Sequence, residues 1–376
     1  MTDRIDRFIA AHEPATPFLV VDLEVVRARF EEMRRHLPSA EIFYAVKANP
    51  APEIIALLAA LGAGFDVASP NEVDQVLNHG VDPERLSYGN TIKKQRDIAH
   101  AHGRGVDLFA FDSGAELEKL AAAAPGARVF CRLLVDNEGA RWPLAGKFGC
   151  DGAMAVALLA RARGLGLRPH GLAFHVGSQQ CDTGAWEGAV AQAAGIFRDL
   201  EERGVELTML NIGGGFPARY ADRIEDFAAY AGAIDRALAR HFGNRLPQTV
   251  AEPGRFLVGD AGILQAEVVL ISRKSQTDPK RWVYLDIGRF GGLAETMGEA
   301  IQYPLHTPHD GGPSGPAILA GPTCDSVDIL YQREGYELPL DLAIGDRVRF
   351  LSAGAYTATY ATVGFNGFDP LPAYYI

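Results

Sequence analysis

Short apolar runs alternate with amphipathic segments from the first fifth of the chain to about residue 258, in the rhythm of a βα repeat. After an opening apolar run at Phe18 to Val21, eight further runs read as strands: Ile42 to Val46, Phe65 to Ala68, Leu86 to Gly89, Leu108 to Phe111, Val129 to Val135, Gly171 to His175, Met209 to Ile212 and Thr249 to Ala251. Between them, Glu53 to Leu61, Ala153 to Arg163, Trp186 to Arg203 and Glu225 to Phe242 carry apolar residues at three- and four-residue spacing, as helices with one buried face do. Eight βα units predict a (β/α)8 barrel of the TIM type. Beyond about residue 259 the rhythm stops. Ala266 to Ser272, Trp282 to Asp286, Ala317 to Leu319 and Arg347 to Leu351 read as strands without long helices between them, and the Gly/Pro-rich His309 to Pro316 reads as a loop. The expected plan is an α/β barrel over residues 17–258, a C-terminal all-β domain over 259–376, and an N-terminal segment, 1–16, that joins the β domain.

In such barrels the chemistry sits at the C-terminal ends of the strands. Strand one ends at Lys47, two at Asp66, three at Asn90 and four at Asp112; strand five carries Arg132 and ends at Asp136. Strand six ends at His175, seven runs into Gly213-Gly214-Gly215, and eight runs into Glu252-Pro253-Gly254-Arg255. One polar strand end is ordinary turn chemistry, but a full ring of them is not. Lys47, in Phe43-Tyr44-Ala45-Val46-Lys47-Ala48-Asn49-Pro50, is either a surface loop lysine or an amine partly desolvated by apolar neighbours and so made nucleophilic for Schiff-base chemistry.

Three glycines after strand seven let the backbone approach an anion closely, at the position where barrels commonly hold phosphate, and Arg255 supplies a cation beyond strand eight. A lysine, a phosphate cradle and a carboxylate at Glu252 together describe a site for pyridoxal phosphate (PLP). The carboxylate would face the pyridine nitrogen and keep the ring an electron sink.

With these residues in place, the chain resembles the fold-type III PLP-dependent decarboxylases, and among them the shorter bacterial ornithine decarboxylases. The motifs are YAVKAN at Lys47, FDVAS with Glu72, KFG at Lys147 to Gly149, HVGSQ at His175 to Gln179, GGGFP at Gly213 to Pro217, EPGR, Cys324-Asp325-Ser326 and Gly354-Ala355-Tyr356-Thr357. The resemblance implies that Lys47 carries PLP, that His175 stacks on its ring and that Glu252 pairs with its nitrogen. It implies that Ser178, Gly213, Gly214, Gly215, Arg255 and Tyr356 hold the phosphate, with Asp66 and Arg132 near the Schiff base and ring hydroxyl. It further implies a homodimer with shared sites. Cys324 would reprotonate Cα in the partner's site, while Asp325, with Tyr303 and Tyr356 lining the substrate, would read the distal ammonium of L-ornithine or L-lysine.

Two departures from the eukaryotic ornithine decarboxylase pattern stand out. Tyr303-Pro304 occupies the place of a Tyr-Asp pair, which leaves ornithine and lysine both open as substrates. Asn211 stands where aspartate is commoner and reads as a tolerated change. Decarboxylation of arginine or diaminopimelate would need other distal groups. An alanine-racemase-like enzyme shares the two-domain plan but not the motif set, and a non-catalytic regulatory homologue would have lost Lys47, Cys324 or the phosphate turn.

At 376 residues and 48% hydrophobic the chain is long enough to bury two cores. A net charge of −11 argues against a nucleic-acid partner. Cys131, Cys150, Cys181 and Cys324 lack metal-ligand spacing, so no metal is expected. The first residues show no apolar signal region and no run is long enough to span a bilayer, so a cytoplasmic protein without membrane contact is expected.

Overall fold

In the computed structural model, which describes residues 3–144 and 146–376, eight parallel strands close into a barrel. They are β1 (Ala40–Ala45), β2 (Gly64–Val67), β3 (Leu86–Tyr88), β4 (Leu108–Phe111), β5 (Arg128–Arg132), β6 (Arg168–Ala173), β7 (Met209–Asn211) and β8 (Gln248–Ala251). β8 pairs with β1 through Thr249 opposite Ala40, and this contact closes the ring. Parallel strands packed under helices are buried on both faces, so β2 and β4 are buried at every residue. Phe43, Leu108, Ala110, Phe130, Ala173, Met209 and Val250 form a core cluster contributed by six of these strands.

Several barrel helices start at a local side-chain cap. Ser69, Ser113 and Asp151 each accept a backbone N–H of the first turn, from Glu72, Glu116 and Met154, and so start the helices Pro70–Leu77, Gly114–Ala123 and Gly152–Gly164. A short antiparallel pair, Ala140–Trp142 with Ser178–Gln180, was not foreseen from the periodicity. Three residues per strand are too few to show an alternation.

Residues 27–217 and 224–254 form this barrel unit; residues up to Val26, 218–223 and 255–376 form a second one. Its sheet is built on β9 (Gly262–Ser272), which pairs antiparallel with β10 (Arg281–Leu285) and with β13 (Arg347–Phe350). β11 (Ser314–Ala320) lies parallel to β10 and antiparallel to β12 (Ile329–Pro339). The opening run Phe18–Val21 lies in this sheet, antiparallel to β9 and parallel to Ala373–Tyr375, whereas the sequence reading set it at the head of the barrel. It is buried at every residue, in keeping with its all-apolar sequence FLVV. The helix Asp3–His12 lays Ile5 and Ile9 on Phe18, Val20 and Ile263. No helix among the described residues is long and apolar enough to cross a membrane.

Candidate active site

The ends of the barrel strands carry the polar cluster. Lys47 follows β1 in a tight turn whose other members, Val46 and Ala48, are buried. Its ammonium is half exposed and lies 3.3 Å from Asp66 Oδ2, so the apolar setting expected for it holds for its neighbours and not for the amine. Asp66 is 5% exposed, and a carboxylate buried in a barrel strand is costly unless it is paired. Lys47 meets one of its oxygens; the other, Oδ1, is buried with no hydrogen-bond partner among the described residues. Gly89, just after β3, leaves room for it: a Cβ there would stand 2.0 Å from Asp66 Oδ1.

Glu72 closes this side. Its carboxylate accepts the Ala68 N–H at 2.7 Å. Burial pushes its pKa up, the backbone bond opposes that, and nearby Asp66 adds to it.

Across the mouth, Arg132, His175 and Glu252 line one small cavity with Gly89 and Ala110. Burial holds the His175 pKa well below its ordinary value, and the charges of Arg132 and Lys47 act the same way. Its Nδ1 accepts the Gly177 N–H at 3.0 Å, so the neutral ring carries its proton on Nε2. Glu252 is pushed up to about 7 by burial and by Asp66, against the pull of Lys47, of a hydrogen bond from Asn211 and of Arg132. Asn211, read from the sequence as a tolerated change, donates from Nδ2 to Glu252 Oε1 and accepts the Gly213 N–H on Oδ1.

The glycine turn needs its glycines. Gly213 and Gly215 have φ of +67° and +105°, and a Cβ on Gly214 would stand 2.6 Å from the Glu252 carbonyl and 3.1 Å from His175 Nε2. The Gly215 carbonyl accepts the Gln180 N–H at 2.9 Å, which draws the Ser178–Gln180 strand beside the turn. Thus the structure brings Lys47, Asp66, Arg132, His175, Ser178, Gly213 to Gly215 and Glu252 to one mouth of the barrel.

The other residues expected to bind cofactor or substrate, Arg255, Tyr303, Cys324, Asp325 and Tyr356, belong to the second unit. Arg255 is buried, 2.8 Å from the Tyr220 hydroxyl and held by both carboxylate oxygens of Glu295; its guanidinium lies 4.8 Å from the Tyr356 ring centre. The expected phosphate cation is therefore already ion-paired. Neither Tyr220 nor Glu295 was singled out, because no local pattern marks them. Tyr303, expected at the substrate, is fully buried against Tyr220 and Phe350 within the β unit. Cys324 and Asp325 lie on an exposed loop, with Cys324 Sγ 3.5 Å from Asn366 Oδ1. Buried Asp328 shapes that loop by accepting from the Thr323 hydroxyl at 2.7 Å and the Arg289 N–H at 2.8 Å.

Residues 23–259 match the family model described as pyridoxal-dependent decarboxylase, pyridoxal binding domain. The chain belongs to this family. It is 41% identical to a lysine/ornithine decarboxylase of Selenomonas ruminantium over 358 residues, 95% of this chain and 88% of the relative. A crystal structure of the Selenomonas ruminantium lysine decarboxylase with PLP and cadaverine superposes with a TM-score of 0.88 at 38% identity, covering 99% of this chain and 93% of that one. The arginine decarboxylase of Paramecium bursaria Chlorella virus superposes with a TM-score of 0.90 at 29% identity, covering all of both chains. This family's enzymes are PLP-dependent decarboxylases of basic amino acids, and PLP is the cofactor of this chain. The residues present fit it: a lysine beside a buried carboxylate with an orphan oxygen, a glycine cradle that a Cβ would fill, and a carboxyl at the mouth poised near neutrality.

Proposed function

We propose that the chain decarboxylates L-ornithine to putrescine and L-lysine to cadaverine, in sites shared across a homodimer. The observation that carries this reading is the meeting of Lys47, Asp66, neutral His175 and Glu252 at one barrel mouth, together with the exposed Cys324-Asp325 pair on the β unit.

Lys47 would hold the cofactor, His175 would present an uncharged face to its ring, and the Glu252 carboxylate would accept a hydrogen bond from its protonated nitrogen and so keep that nitrogen charged. The glycine turn and Ser178 would hold the phosphate, joined by Arg255 and Tyr356. Bound there, PLP supplies an electron sink that lets the bond from Cα to the carboxylate break. The chain's own work is placement and proton control. Glu252 would act here as a carboxylate, its charge favoured by Lys47, by the hydrogen bond from Asn211 and by Arg132 against burial and Asp66. Cys324 of one chain would return a proton to Cα in its partner's site, and Asp325 beside it would bind the distal ammonium.

Ornithine and lysine differ by one methylene, a difference worth only about 1–3 kcal/mol in a fitted pocket, so a chain with one acidic reader accepts both. The test is to incubate the PLP-loaded protein with ornithine, lysine, arginine and diaminopimelate at equal concentration and to quantify the amines formed. Putrescine and cadaverine are expected. Agmatine as the main product, or no amine from any of the four, overturns the reading.

A further inference from the structure

Asn211 is an uncharged side chain that joins two parts of the barrel mouth. It ends β7, is 1% exposed, and reaches in opposite directions: Oδ1 to the Gly213 N–H at 2.9 Å, Nδ2 to Glu252 Oε1 at the end of β8. The two ends of its amide are not interchangeable. The glycine N–H is a donor and requires the carbonyl, so only the amide nitrogen is left to face Glu252. An aspartate could satisfy Gly213 equally well but would meet Glu252 as a second carboxylate.

We infer that Asn211 is a positioning residue for Glu252, one that aims this carboxylate and favours its charged form while tying it to the glycine turn. The inference rests on the reading of Glu252 as the partner of the cofactor nitrogen. A hydrogen bond donated to a carboxylate favours its charged form, and burial disfavours that form. The other charged and titratable groups that face Glu252 are Asp66, which opposes ionisation, Lys47 and Arg132, which favour it, and neutral His175 on the same cavity wall. These come from β1, β2, β5 and β6 and are untouched by a change at 211. Loss of the amide donor therefore tips Glu252 toward its neutral form and frees its rotamer, whereas loss of Gly213's acceptor loosens the turn.

The experiment uses PLP-loaded wild type, Asn211→Leu and Asn211→Asp, each checked for fold by its thermal melt. It records the pH profile of kcat/KM and the pH dependence of the bound cofactor's visible spectrum. For Asn211→Leu the acidic limb of the profile is expected to move up by about one pH unit, with the spectral midpoint following it and turnover at pH 7 falling about 10-fold. For Asn211→Asp the introduced carboxyl can donate to Glu252 only while the pair holds a proton. Activity is then recovered on the acid side and a new basic limb appears. Limbs and spectral midpoints at wild-type positions in both variants, with only the level of activity lowered, would make Asn211 a structural residue and overturn the inference. A wild type that binds no PLP or forms no amine fails at the earlier reading instead, so the two failures are distinguishable.

Discussion

Both carboxylate oxygens of Glu295 hold the Arg255 guanidinium, Oε1 at 2.6 Å from Nη2 and Oε2 at 2.7 Å from Nη1, and both side chains are buried. The residue that the EPGR segment offers as a phosphate ligand thus carries its counter-charge with it. Any phosphate it meets sees a guanidinium already neutralised along one edge.

Removing one member of such a pair leaves a buried, uncompensated charge. Glu295→Met should cost about 3–5 kcal/mol of stability, and Arg255→Met with Glu295→Met together should cost less than the sum of the two single changes. Urea melts of the four proteins check this. Additive losses would show that the two groups do not depend on each other.

Lys47 is the amine at the mouth, beside Asp66. Borohydride reduction of the PLP-loaded protein should fix the cofactor to the peptide containing Lys47 and to no other, as read by peptide mass mapping. Lys47→Ala should abolish both the label and amine formation. A reduced label on Lys93 or Lys147 would move the anchor elsewhere.

The strand-end reading found this mouth because a barrel turns each strand end toward one face, so position along the chain translates into position in space. Lys47, His175 and Glu252 were legible for that reason, and all eight barrel strands were too. β12, eleven residues long, was not, since ILYQREGYELP breaks its apolar alternation with charged residues, a glycine and a proline. The Tyr220–Arg255–Glu295 cluster joins residues 35 and 40 positions apart, with no period linking them. Asn211 was seen, but its role depends on which end of an amide faces which neighbour, and that is a property of the folded turn.

The poise of Glu252 near 7 has a consequence for the cofactor-free protein. An unfolded glutamate titrates at about 4.3, so between that pH and about 7 the folded chain keeps a proton that the unfolded chain has released. Stability should therefore fall as pH rises through this window, by on the order of 3 kcal/mol from this one group. Glu252→Gln removes the term. Its stability relative to wild type should improve from pH 5 to pH 8 in urea melts, while turnover of the PLP-loaded variant drops by about 100-fold or more. Parallel stability curves would mean that Glu252 is not the group held protonated.

The exposed Cys324-Asp325 loop predicts a site completed by a second chain. Asp325 accepts the Val327 N–H at 3.0 Å and Cys324 leans on Asn366, so both are held in place while remaining open to solvent. A carboxylate ordered but exposed on one chain is available to an ammonium bound to another. Asp325→Ala should weaken ornithine binding far more than PLP binding, because the substrate's distal charge then loses its partner. Mixing inactive Lys47→Ala with inactive Cys324→Ala tests the sharing itself. After random exchange about half of the dimers are mixed, and each mixed dimer pairs one doubly defective site with one intact site, so about a quarter of wild-type activity should return. Sites built within a single chain would each keep one defect in every dimer, and the mixture would stay inactive after exchange has been verified by mass spectrometry.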